Sequence, residues 1–169
     1  MSNTAVFNAL KKINAAYTER LHMISETQFQ VTPPPGGWSY SEVYCHIFDA
    51  SLLSLVPVEK CIAGKGEQKR TWLITKIILF AGRLPGTKYK MPKTLEPRVR
   101  KITKEEASFL IKEFTTKLSD DFNGMGQADP AVKNQHPNLG YLNASEWLRF
   151  IEIHLNHHLK QLKRIEKSF

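Results

Sequence analysis

The sequence predicts an all-α fold: a four-helix bundle with long crossover loops and a short additional helix. Three observations carry this prediction. Four stretches repeat apolar residues every three or four positions, the period of a helix with one buried face. Three of these stretches open on a Ser, Thr or Asn with Glu three residues later (Ser39/Glu42, Thr103/Glu106 and Asn143/Glu146), the pattern of a capping box. Clusters of proline and glycine separate the stretches and cannot continue a helix. The 169 residues suit one sizeable core better than two marginal ones, so a single domain over 1–169 is expected.

The first helix is read from Thr4 to Ile24, on the stripe Val6, Leu10, Ile13, Tyr17, Leu21 and Ile24. Thr32-Pro33-Pro34-Pro35-Gly36-Gly37 stops any continuation and starts a long connection. The second helix follows Ser39 with the stripe Val43, His46, Ile47, Ala50 and Leu53, and Pro57 is expected to kink or end it. Trp72–Ala81 is the short additional helix, bounded by Gly64–Arg70 and by Gly82-Arg83-Leu84-Pro85-Gly86. From there to Ile102 a basic, proline-punctuated loop is expected. Ala107, Leu110, Phe114 and Leu118 form the face of the third bundle helix. Ser119–Leu142, with three glycines and two prolines, shows no sustained period and reads as loop. In the last helix Ala144, Trp147, Ile151, His154, His158, Gln161 and Ile165 recur in alternating steps of three and four.

Hydrophobic residues make up 41% and charged residues 24%, which excludes disordered and collagen-like classes. No apolar run reaches the roughly 18 residues of a membrane span. The N-terminus lacks the basic-then-apolar layout of a signal peptide, so a cytoplasmic protein with no membrane partner is expected. Cys45 and Cys61 are too few for a disulfide scaffold, and on one helix they would lie roughly 24 Å apart, so two free thiols are expected. The net charge of +8 is concentrated. Residues 60–104 hold 13 Lys/Arg against Glu67 and Glu96, a balance of +11, and the rest of the chain balances to −3.

His154 and His158 are four residues apart, so both imidazoles project from one helix face about one turn apart, as two ligands of one ion require. A lone pair at this spacing arises often by chance. His46 also lies on a predicted core stripe, and a neutral imidazole buried without a partner is costly; a shared ion accounts for all three. Three histidines would form the open, three-ligand type of site that zinc and its neighbours favour. Asp49, one turn from His46, and Gln161 are candidates for orienting a ligand or a bound water, with solvent-facing or capping roles as the alternative. Cys45 is read as an inert buried thiol, and His22 and His136 as structural or surface residues. Trp38, Trp147 and Phe150 are read as core.

Trp38-Ser39-Tyr40-Ser41-Glu42-Val43-Tyr44-Cys45-His46-Ile47 resembles the W-S-x-x-E-h-x-x-H-h segment (h, apolar) of the DinB/YfiT-like family. His154-Leu155-Asn156-His157-His158-Leu159-Lys160-Gln161 resembles that family's H-x-x-H-H-x-x-Q segment. Lys90-Met91-Pro92-Lys93 and His136-Pro137-Asn138-Leu139-Gly140 resemble its connectors, which extends the likeness over most of residues 5–166. The resemblance implies a four-helix bundle with one nickel, zinc or similar ion on His46, His154 and His158. His157, roughly 100° away around the helix from His158, is left out of the ligand set. The resemblance also implies a homodimer, although no isolated interface stripe is visible.

With three ligands filled, a further coordination position stays open to water, substrate or a thiol. The expected function is a metal-dependent enzyme acting on a small molecule. It would activate a low-molecular-weight thiol such as bacillithiol or mycothiol for S-transfer, or a water for hydrolysis, and the resemblance leans toward thiol transfer. The alternative is a non-enzymatic polyanion- or nucleic-acid-binding protein that uses segment 60–104, with Trp72, Tyr89 and Met91 interleaved among its charges and the metal serving structure. That segment has no recognisable nucleic-acid motif, and lysine-rich loops are most often only solvated, so this reading ranks second.

Overall fold

The computed structural model describes residues 1–85 and 96–169. Among these, the long helices are α1 (Asn3–Met23), α3 (Tyr40–Ile62), α5 (Lys104–Gly124) and α6 (Ala144–Glu166). Two shorter helices, α2 (Glu26–Gln30) and α4 (Leu73–Ala81), lie in the connections, with 3₁₀ turns at Glu96–Arg98 and Met125–Gln127. The Lys90–Lys93 likeness and the residues Tyr89 and Met91 lie outside the described residues.

All three capping boxes form: Ser39, Thr103 and Asn143 each accept the backbone N–H of the Glu three residues on, whose carboxylate accepts the cap residue's N–H. Each pair satisfies two amide groups that a helix start leaves orphaned. α3 and α6 pack together, and each also packs on one of the other two: α3 on α5, α6 on α1, with α1 against α5 closing the ring. Chain neighbours α1 and α3 are therefore diagonal, as are α5 and α6. Their connections must cross an end of the bundle.

The core is aromatic at its centre. Tyr17, Tyr44, Phe48 and Phe114 are almost fully buried and meet ring to ring, with Phe48 5.2 Å from Tyr17 and 6.0 Å from Phe114. The phenols keep their polar ends paired. Tyr44 donates to the Tyr17 carbonyl and Tyr17 to the Leu155 carbonyl, each at 2.8 Å, tying α3 to α1 and α1 to α6. Burial raises both phenol pKa values, so each stays a neutral donor.

Four expectations change in detail. Pro57 does not end α3, which runs on to Ile62. The carbonyl that Pro57 leaves without its helical amide belongs to Leu53, an exposed residue. α5 extends to Gly124 rather than stopping near Leu118, because Phe122 stacks on Phe7 at 4.0 Å and gives the extra turn something to pack against. The segment read as loop also holds a small hairpin, β1 (Asn134–His136) against β2 (Gly140–Leu142), antiparallel with His136 opposite Gly140. Gly140 adopts φ +73°, and a Cβ there would meet the Trp72 indole at 2.8 Å. Finally, the basic loop before α5 is stitched to the bundle at its end. Ile102 is buried, its N–H donates to Ser41 Oγ, and Lys101 Nζ donates to the Gln30 carbonyl.

Asp121 on α5 is a locally unfavourable residue. It is buried, its Oδ2 has no partner among the described residues, and burial with the nearby Glu59 charge raises its pKa to about 6. A carboxyl raised in the folded state stabilises the fold fully only below its unfolded value of 3.8, and that contribution is lost as pH rises through 6. Asp121→Asn should therefore raise stability above pH 6 by about 1–2 kcal/mol and give little near pH 4. Denaturant melts at the two pH values check this, and an equal gain at both would remove the ionisation as the cause.

Candidate metal centre

α3 and α6 lie side by side, and each presents histidine to the other. His46 sits on the α3 face that meets α6, and His154 and His158 stand one turn apart on α6. One ligating nitrogen from each can be chosen so that all three lie within 4.8 Å of one another. His154 Nε2 and His158 Nε2 are 3.2 Å apart. Two imidazole nitrogens on one tetrahedral ion at ~2.0–2.1 Å would be ~3.3–3.4 Å apart, so the pair is already at the spacing of shared ligation. No other group of three or more His, Cys, Asp or Glu side chains among the described residues comes together in this way.

The protonation states fit the same use. Burial, followed by the charges of neighbouring histidines, lowers His158 to about 3 and His154 well below its ordinary value. Burial likewise lowers His46 to about 4, against a small opposing pull from Asp49. All three are neutral at pH 7, with lone pairs available. Gln161 fixes one tautomer: His158 Nδ1–H donates to Gln161 Oε1 at 2.8 Å, which leaves Nε2 bare and facing the cluster.

Aromatic rings hold the imidazoles in place. Trp38, in the loop before α3, lies 5.0 Å from the His46 ring and stacks over His158 at 6.4 Å. Phe150, one turn before His154, stacks on it at 5.4 Å. Both were read from sequence as core, yet both border the cluster. The signal available was spacing, since Phe150 is four residues from His154 and so shares its face. His136, expected as a structural or surface residue, is a further neighbour of the cluster. Its ring packs 4.5 Å from Phe150, and its Nδ1 accepts the backbone N–H groups of Asn138 and Leu139, holding the hairpin turn. Burial lowers its pKa to about 4.

The remaining candidates lie elsewhere. Asp49 is engaged by Arg98, whose Nε and Nη2 donate to its two oxygens at 2.6 and 2.5 Å, and no hydrogen bond joins it to His46 among the described residues. Cys45 is buried with its S–H donating to the Arg98 carbonyl at 3.4 Å, and Cys61 is a second free thiol. His157 and His22 are exposed.

The fold and cluster together define a four-helix-bundle protein with a three-histidine centre, two ligand candidates on the last helix and one on a neighbouring helix. A profile of the DinB superfamily matches residues 9–162, and the chain belongs to that superfamily. Two solved structures share the fold. YfiT from Bacillus subtilis, described as "a probable metal-dependent hydrolase with an unusual four-helix bundle topology", superposes with a TM-score of 0.64 at 12% identity, over 99% of this chain and 89% of that one. TT2238, described as a four-helix bundle protein, superposes with a TM-score of 0.62 at 18% identity, over 96% and 99% of the two chains. No curated protein sequence matches the chain.

Proposed function

We propose that this protein holds one divalent cation, nickel or zinc, on His46, His154 and His158 and is a metal-dependent enzyme that activates a small nucleophile. The observation that carries this reading is the convergence of three neutral imidazoles with no carboxylate or thiolate among them. Such a donor set fits a nitrogen-preferring cation and leaves its charge uncancelled. A divalent ion held there supplies Lewis-acid chemistry at an open coordination position and favours the deprotonated form of a water or thiol.

The chain's own groups have separate tasks. Gln161 holds the His158 ring so that Nε2 faces inward, and Trp38 and Phe150 fix the imidazole planes while excluding water from their flanks. Hydrolysis is the reading we favour, supported by the description of YfiT as a hydrolase candidate. S-transfer from a low-molecular-weight thiol such as bacillithiol needs the same open position and is the competing outcome.

The test is metal analysis of purified protein followed by parallel screens of ester or amide hydrolysis and of thiol conjugation. About one ion per chain is expected, with turnover lost at least about 100-fold in His46→Ala, His154→Ala and His158→Ala and retained in Cys45→Ser. Activity that survives metal removal but not Cys45→Ser would replace this reading with cysteine chemistry. Thiol-dependent turnover without hydrolysis would move the assignment to the transferase class.

A further inference from the structure

We propose that α4 is a membrane-surface helix, and that its exposed apolar crest, framed by basic side chains, docks this protein on an anionic lipid bilayer. The crest is Leu73, Ile77 and Phe80, spaced four and three residues apart and so aligned along one side, with Ile74 beside them. These side chains are largely in water: Phe80 is 93% exposed, Leu73 75%, Ile74 57% and Ile77 54%. Trp72, at the start of the helix, is 54% exposed. A contiguous apolar patch of this kind marks a contact surface rather than ordinary scatter.

The outward aim of the crest is fixed from the opposite side. Thr75, Ile78 and Leu79 are buried, and Thr75 Oγ donates to the Leu139 carbonyl at 2.8 Å. Arg149 Nε on α6 donates to the Leu79 carbonyl at 3.0 Å, and Gly82 closes the helix at φ +66°. The buried face holds these contacts, so the crest cannot turn inward without breaking them.

Charge selects the occupant. Lys69, Arg70, Lys76 and Arg83 are all exposed around the crest. From Gln68 to Pro85 the sequence has four Lys/Arg and no Asp or Glu, and the preceding acid, Glu67, lies 3.8 Å from Lys69 Nζ. A second copy paired through this face would bring like charge against like charge. A polynucleotide would answer the charge but leave the crest in water. An anionic bilayer answers both, taking the apolar side chains below the headgroups and the cations at them, with Trp72 at the boundary. No helix among the described residues is long and apolar enough to cross a membrane. An interfacial helix has no such requirement, so the lack of a span does not argue against surface binding.

The test is flotation of the full-length protein with vesicles of phosphatidylcholine, alone or with phosphatidylglycerol. Binding about tenfold or more stronger to the anionic vesicles, and weakening with salt, is expected. Ile77→Ser with Phe80→Ser should lose that binding about tenfold while the thermal melt is unchanged. Lys69→Gln, Arg70→Gln, Lys76→Gln and Arg83→Gln together should do the same through charge. Equal partition into both vesicle types would overturn the proposal. So would a two-chain mass in light scattering that the Ile77→Ser, Phe80→Ser variant reduces to one chain, since the face would then belong to a second copy.

Discussion

His154→Ala is expected to lose metal affinity by more than about 100-fold, beyond the 10–100-fold typical when only an outer hydrogen-bond partner is removed. The variant leaves one nitrogen from His46 on α3 and one from His158 on α6, and removes the His154 Nε2 that stood 3.2 Å from His158 Nε2. Gln161→Ala, which frees the His158 ring but keeps its nitrogen, should fall within the smaller range. Titration with nickel or zinc followed by calorimetry distinguishes the two. Equal losses would mean that His154 is not a ligand.

The same variant should remove a stabilisation that the ion confers. A ligand present at 1,000 times its Kd stabilises the folded state by about 4 kcal/mol, so the wild type should melt higher with metal and His154→Ala should not. Acid adds a second readout. The folded pKa values of His46 and His158 are about 4 and about 3, against 6.5 for the ordinary imidazole. Groups depressed in this way take up protons on unfolding, so stability is lost as pH falls from 6.5 toward 3. Metal should remain bound through pH 5 to 6, where ordinary histidines would already be protonated. Release near pH 6.5 would show that burial does not hold these rings neutral.

Phe48→Ala is expected to destabilise the fold by about 3–5 kcal/mol and lower the melting temperature by roughly 6–20 °C. Phe48 is fully buried and its ring meets Tyr17 on α1, Tyr44 on its own helix and Phe114 on α5. Truncation leaves a cavity where three helices meet, and those aromatic neighbours are too rigid to fill it. His46 lies two residues away on the same helix, so metal affinity should also fall, but by less than in His154→Ala. A loss under 1 kcal/mol in denaturant melts would show that the aromatic centre repacks and is not what fixes α3 in the bundle.

Much of this was legible because helices advertise themselves locally. The capping boxes at Ser39, Thr103 and Asn143 and the periodic stripes behind them depend on residues three or four apart, and all three boxes form. The hairpin was not legible. Its strands are three residues each, too short for alternation to show, and Gly140 takes its conformation beneath a Trp72 ring that arrives from 68 residues earlier. That α3 continues past Pro57 was also not legible, since whether a missing amide ends a helix depends on how the helix is packed around it.

The sequence by itself determined the long helices, their starts, and the one-turn pairing of His154 with His158, since each follows from spacing along one helix. It also located the concentration of positive charge between residues 60 and 104. Only the tertiary structure decided that α3 lies against α6, which brings His46 to the pair across more than 100 residues of chain. The same packing engaged Asp49 with Arg98, set Trp38 and Phe150 against the imidazoles, and left one side of the apolar helix α4 in water. The physical reason is common to these cases. Periodicity states which residues leave water together, and the partner each one meets depends on which helices become neighbours when the chain closes on itself.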